Sequence, residues 1–286
     1  MADVSYSTMG FEDRGFEAAL DAIASAGFTC IELSVIPHAV GPPVGRAATD
    51  IRRQIERRGL RATTVHAPLG DNVLGPPDVH RRREKAELLA NYIRFTGEIG
   101  ITGIVIHPVQ YPDIMPDDDI IASLRRMEEA AKHSLDELSP VAGKADTRIL
   151  VENKPYEHAR GVCDYPLCSM SQMRLLIDGY PPDNVGLAVD TGHSTMAGLD
   201  PAVEIELAGE RLWGTHLQDV DTERLPPYDN HWVPTMGGID WAAIRSALER
   251  VGYSGAWTFE VFSGRDGQSL EQLAIQSRAI ASEWGL

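Results

Sequence analysis

Cysteine is scarce in this sequence. Its three thiols, Cys30, Cys163 and Cys168, form an odd set without CxxC spacing, which excludes a disulfide framework and a thiolate zinc site and leaves them as inert thiols. Nowhere do about eighteen apolar residues run together, so no α-helical membrane span is expected. The opening Met1-Ala2-Asp3-Val4-Ser5 lacks a basic stretch ahead of an apolar one, and a soluble, cytoplasmic protein without a membrane partner is the expectation. Positive charge is also short. With 26 Lys and Arg against 42 Asp and Glu the net charge is −16, which repels polyanions, so no nucleic acid is expected as a partner. The run Arg81-Arg82-Arg83 is read as a solvated helix face rather than as part of a basic groove. Linkers rich in Pro, Gly or Ser are missing, as are low-complexity tracts, so residues 1–286 are read as one domain.

What is present is an alternation of short β-rich runs and longer stretches with helical periodicity. Strands are expected at 4–9, 28–33, 61–66, 103–107, 148–152, 185–190, 213–217 and 256–261. Helices are expected at 16–26, 48–58, 79–99, 119–138, 171–177, 201–210, 240–251 and 270–284. Gly27, Gly59, Gly100 and Gly252 stand where left-handed C-caps are wanted, and Asp200-Pro201 and Asp240-Trp241 read as helix starts. Eight βα units with polar strand ends favour closure into a (β/α)8 TIM barrel, an α/β fold, over an open sheet, and no GxGxxG follows the first strand.

The chemistry-bearing residues gather at strand tips. His66, His107 and Glu152 end the third, fourth and fifth strands; Asp190 ends the sixth, followed by His193; His216 and Glu260 stand at the ends of the seventh and eighth. In a barrel these tips share one mouth, and buried carboxylates and imidazoles are costly there unless they are paired or ligate a cation. Asp229 and His231, in the loop after the seventh strand, form an Asp-x-His pair able to bridge or bind a further metal. Glu32, Ser34, His38, Lys154, Gln218 and Arg265 are the polar candidates for substrate contact; Lys154, two positions past Glu152, projects to the same side.

The segments Gly27-Phe28-Thr29-Cys30-Ile31-Glu32-Leu33, Val65-His66-Ala67-Pro68, Val151-Glu152-Asn153, Val189-Asp190-Thr191-Gly192-His193, His216-Leu217-Gln218-Asp219, Gly238-Ile239-Asp240-Trp241 and Phe259-Glu260 resemble the xylose isomerase-like TIM-barrel superfamily. That superfamily holds sugar isomerases and epimerases, inosose dehydratases and zinc-dependent apurinic-site endonucleases. For a ketose epimerase the resemblance implies one divalent metal on Glu152, Asp190, His216 and Glu260, with Glu152 and Glu260 exchanging the proton and His193 contacting substrate or metal. An oxygen-rich set suits Mn2+, Mg2+ or Co2+, and the added imidazoles of His66, His107 and His231 lean towards Zn2+. The substrate implied is a small carbohydrate: a sugar, keto-sugar or cyclitol. A dehydratase or lyase with the same enolate chemistry is close behind.

The endonuclease branch also has a counterpart for every ligand type here, in His66, His107, Glu152, Asp190, His193, His216, Asp229, His231 and Glu260. Against that branch stand the net charge of −16 and the loop Ala67-Pro68-Leu69-Gly70-Asp71-Asn72, which lacks aromatic and basic residues to open a duplex. The segment Val233-Pro234-Thr235-Met236-Gly237-Gly238 departs from the Pro-Gly-x-Gly run of the sugar enzymes. Members of the superfamily often form dimers or tetramers, and a homo-oligomer is an expectation of the same kind.

Overall fold

A computed structural model describes residues 2–35, 40–42, 46–109, 120–154, 167–224 and 227–286. Eight strands are present: β1 (Val4–Ser7), β2 (Cys30–Ser34), β3 (Arg61–His66), β4 (Gly103–Ile106), β5 (Arg148–Glu152), β6 (Val185–Asp190), β7 (Leu212–Leu217) and β8 (Trp257–Phe259). They pair in parallel in chain order, and β8 returns to β1, which closes the barrel. The helices are α1 (Phe16–Ser25), α2 (Ala48–Glu56), α3 (Val79–Ile99), α4 (Ile120–Lys144), α5 (Met170–Ile177), α6 (Thr191–Met196), α7 (Pro201–Ala208), α8 (Trp241–Arg250) and α9 (Leu270–Glu283).

The eight strands fall where the alternation of apolar runs puts them. Two helical features differ from expectation. The short α6 starts immediately after β6 because the Asp190 side chain accepts from the backbone N–H of His193, a cap that six residues of Thr-Gly-His-Ser-Thr-Met do not announce by periodicity. α4 runs through Pro140 to Lys144 instead of ending at 138, and the extra turn buries Ala142 and sets Gly143 against Asn184. The loss of one helical hydrogen bond at proline is outweighed there by packing.

Alternation along each strand sorts the side chains. Ile104, Ile106, Ile149, Val151, Leu187 and Val189 are fully buried towards the helices, while Val105, Leu150 and Ala188 form a separate apolar cluster inside the barrel. Register ties that inner layer together, with Val105 opposite Leu150 and Ala188 opposite Gly214. A further two residues along each strand brings the chain to the C-terminal rim with the same inward orientation. The Arg81-Arg82-Arg83 run corrects the solvated-face reading at one position: Arg82 is buried and its Nη2 donates to Glu137 Oε1 at 2.9 Å. Cys30 and Cys168 are buried, and Cys163 lies outside the described residues. Among the described residues no helix is long and apolar enough to cross a membrane.

The close approach of α3 and α4 depends on Gly97, where an added Cβ would lie 2.2 Å from the carbonyl oxygen of Ala145. Gly97→Ala is therefore expected to destabilise the protein by about 1–3 kcal/mol through overpacking, although alanine is the better helix former. Chemical denaturation should show the lower midpoint; a stability equal to wild type would contradict the contact.

Candidate metal centre

The rim layer follows from the strand period. His107, Glu152, Asp190 and His216 stand two residues beyond the inward-facing Val105, Leu150, Ala188 and Gly214, and Asp190 is the register partner of His216. On the other side of the barrel, Ser7 is opposite Glu32, Glu32 is opposite Thr64, and His66 stands two residues beyond Thr64. Glu260 follows β8 directly. Residues spread from 32 to 260 thus meet at one end of the cylinder.

Glu152 lies at the centre and is fully buried. Its Oε2 is 3.0 Å from His107 Nε2 and 3.6 Å from His66 Nε2. Its Oε1 is 3.1 Å from His216 Nδ1 and 3.2 Å from His193 Nδ1. Among the described residues, three sets of side chains place one ligand atom from each member within 4.8 Å of the others: His66, His107 and Glu152; Glu152, Asp190, His216 and Glu260; His193, Asp229 and His231. A mix of imidazole nitrogens and carboxylate oxygens at this spacing is the donor chemistry that a divalent ion takes.

Electrostatics agree with that fit. Burial alone would lift the Glu152 carboxyl, but the neighbouring His216 and His107 charges hold it well below the ordinary carboxylate range. Asp190 is pushed up to about 6 by burial, an effect partly offset by His193. For His193, burial lowers the pKa, but the charge of Asp190 beside it drives it up to about 10. His216, His231 and His66 are raised against the same opposing burial by neighbouring carboxylates. His107 goes the other way, to about 3, through burial and then the charge of Lys154. The carboxylates therefore draw positive charge into the rim, where bound cations would compete with protons on the imidazoles.

The imidazoles are held by their second nitrogens. His66 Nδ1 lies 2.7 Å from Ala67 O, His193 Nδ1 2.9 Å from Asn153 O, and His231 Nδ1 3.0 Å from Glu260 O. With each Nδ1–H donated to a carbonyl, each Nε2 lone pair faces a ligand group. His231 sits in the left-handed region at φ 49°, and its backbone N–H donates to Gln218 Oε1 at 3.1 Å. Asp229 joins the two imidazoles of its group, with Oδ2 3.3 Å from His193 Nε2 and Oδ1 2.9 Å from His231 Nε2.

The polar residues singled out for substrate have varied surroundings. Glu32 bonds to His216, Ser7 and Thr64. Gln218 Nε2 donates to Asp190 Oδ1 and Asp229 Oδ1, each at 3.1 Å. Lys154 is half-buried; burial would lower its pKa, and the charges of Asp229 and Glu152 raise it instead. Ser34 Oγ donates to Met9 Sδ, Arg265 lies over the Trp232 ring, and His38 falls outside the described residues.

Two supporting residues escaped sequence reasoning. Asn153 clamps β5 to β6: its Oδ1 accepts from Asp190 N at 2.8 Å and its Nδ2 donates to Asp190 O at 3.1 Å. Asp219 organises the loop that carries Asp229 and His231, accepting from the backbone N–H groups of Thr235 and Ile239 and from Trp241 Nε1. Both stand inside motifs that the sequence shows, without a role assigned to them there, and asking what satisfies the backbone N–H groups nearby was the available signal.

The model for the xylose isomerase-like TIM barrel matches residues 20–282. Among curated proteins, an uncharacterized protein of Sinorhizobium fredii is 27% identical over 94% of this chain and 88% of its own length. The D-psicose 3-epimerase of Enterocloster bolteae is 23% identical over 87% of this chain and 77% of its own. A D-tagatose 3-epimerase-like protein of known structure superposes with a TM-score of 0.78 at 20% identity, covering 99% of this chain and 97% of that one. By sequence and by fold alike, the chain is an enzyme of the xylose isomerase-like TIM-barrel family.

Proposed function

We propose that the protein is a divalent-metal-dependent isomerase or epimerase of a sugar, keto-sugar or cyclitol, acting by proton transfer through an enediolate. The observation that carries this reading is the pair of glutamates around one imidazole: His216 Nδ1 lies 3.1 Å from Glu152 Oε1 and 3.4 Å from Glu260 Oε2. Glu152, Asp190, His216 and Glu260 would hold the ion. When bound, Mn2+, Mg2+, Co2+ or Zn2+ would polarise the substrate carbonyl and meet the negative charge that develops on it.

One glutamate takes a proton from the carbon beside the carbonyl, and the other returns a proton to that carbon or its neighbour. Return to the opposite face of the same carbon inverts its configuration, with one proton removed and one restored. Lys154, kept cationic by the carboxylates around it, faces the anionic or hydroxyl groups of the substrate. Gln218 has both amide hydrogens committed to Asp190 and Asp229, so its part is to brace the ligands. The D-psicose 3-epimerase of Enterocloster bolteae and the inosose isomerase of Bacillus subtilis, 28% identical over 52% of this chain, support this substrate class. A dehydratase would use the same proton abstraction and differ in what leaves the enediolate.

One observation favours a second reading, phosphodiester hydrolysis at an apurinic site: two further ligand groups, His66–His107–Glu152 and His193–Asp229–His231, flank the first. Several zinc ions in a row would suit phosphoryl chemistry. The net charge of −16 opposes a nucleic-acid substrate.

Two measurements divide these readings. Elemental analysis of protein purified without chelator should find one divalent ion per chain, and its removal should stop solvent-deuterium incorporation into a responsive member of a keto-sugar panel; two or three zinc ions per chain with no exchange on any sugar would transfer the assignment to the hydrolase. Glu152→Gln and Glu260→Gln should each slow that exchange by about 10²-fold or more, the scale of general acid–base catalysis, with an unchanged circular dichroism spectrum. Undiminished exchange in both variants would remove the glutamates from the mechanism.

A further inference from the structure

Glu32 is a carboxylate buried below the ligand groups, in a part of the barrel interior that closed barrels ordinarily fill with bulky aliphatic side chains. Its Oε2 accepts from Thr64 Oγ1 at 2.8 Å and lies 3.0 Å from His216 Nε2; its Oε1 accepts from Ser7 Oγ at 3.1 Å. Beneath it the interior is not packed. A cavity of about 340 Å³ runs in from the opposite end of the barrel and is bounded near Glu32 by Thr64, Gly214, Thr215, His216 and Thr258. Small and hydroxyl-bearing residues on β3, β7 and β8 thus forgo packing around one charged side chain, and that loss calls for a role.

The role is visible in how the imidazoles are oriented. His66, His193 and His231 each place one nitrogen against a backbone carbonyl, at 2.7, 2.9 and 3.0 Å. His216 has a carboxylate in that place. Its other nitrogen, Nδ1, faces Glu152 Oε1 at 3.1 Å and Glu260 Oε2 at 3.4 Å. Either glutamate would accept an Nδ1 hydrogen, and an imidazole so protonated has no lone pair to offer an ion. A backbone carbonyl is a weaker competitor for the hydrogen than a carboxylate, whose charge-assisted bond is roughly twice as strong.

We infer that Glu32 is a positioning residue of the metal centre: by accepting the Nε2 hydrogen of His216 it fixes the tautomer whose Nδ1 lone pair points at an ion shared with Glu152, Asp190 and Glu260. The inference rests on the metal centre of the proposed function and is independent of its sugar substrate. It places Glu32 beneath the ligands, where the sequence had suggested a substrate contact.

The test uses the full chain and Zn2+ alone, with affinity read by chelator competition and stoichiometry by elemental analysis. Glu32→Leu removes the acceptor at similar volume; it should weaken the zinc ion of the Glu152–Asp190–His216–Glu260 group by about 10–100-fold, leaving one ion fewer per chain at the same free zinc. Glu32→Gln keeps an acceptor oxygen and should restore most of that affinity. Thr63→Val, which alters the cavity wall without touching Glu32, should bind zinc as wild type does. Wild-type affinity in Glu32→Leu, or equal weakening in the Leu and Gln variants, overturns the inference while leaving the metal centre standing. A wild-type protein that holds no zinc at this group overturns both.

Discussion

The carboxylate of Glu152 is the constraint around which the rest of the molecule is arranged. It is fully buried, and four imidazoles converge on its two oxygens, with Asp190 and Glu260 close by. Taking these anions out of water costs several kcal/mol each unless positive charge accompanies them. Protonated imidazoles supply some of it, which is why His193 and His216 are held so far above their ordinary range. Divalent cations would supply more from the same volume. The barrel is the means of assembling this set, because no single element could carry seven such groups without exposing most of them.

Holding the set in place engages structure that touches no substrate. Asn153 bonds both the N–H and the carbonyl of Asp190, so β5 and β6 keep their tips level. Asp219 gathers the N–H groups of a loop that would otherwise be an open chain, and a Cβ at Gly237 would lie 2.3 Å from its carboxylate, so the loop closes on it tightly. Gln218 then joins Asp190 to Asp229 and caps the strained backbone of His231. The rigidity of the rim is distributed through hydrogen bonds between neighbours, each of which fixes the next side chain before a ligand arrives.

Much of this was legible in the sequence. Six strand tips, those of β3 to β8, that end in His, Asp or Glu can be read one by one, because a period of two decides the side chain's face and a barrel makes all the tips neighbours. The sequence motifs placed His66, His107, Glu152, Asp190, His193, His216 and Glu260 at one mouth, and the coordinates bring them together there. What was not legible depends on partners distant along the chain. The burial of Arg82 needs Glu137 on the neighbouring helix, α6 begins at a cap that lies inside a ligand motif, and α4 outruns Pro140 because of packing at Ala142. Glu32 read as one polar residue in an apolar strand; only the closing of β2 against β3 and the approach of β7 across the interior show that it meets His216.

Glu152 also links the two chemistries that this rim could run. As a base it needs an oxygen directed at the substrate, and as a bridge between two ions it has none to spare. In the structure Oε1 faces the His216 side and Oε2 the His107 side, so each oxygen belongs to a different ligand group. Occupation of the His66–His107 group would draw Oε2 away from proton transfer and leave Glu260 without its partner. With that group free of metal, Oε2 would be held by its contacts to His107 and His66 alone and, under the proposed function, would be open to proton exchange. Under the proposed function, the number of ions sharing this one carboxylate would set the reaction, and His66 and His107, which lie outside the four-residue ligand group, would decide whether Glu152 acts as a ligand only or also as a base.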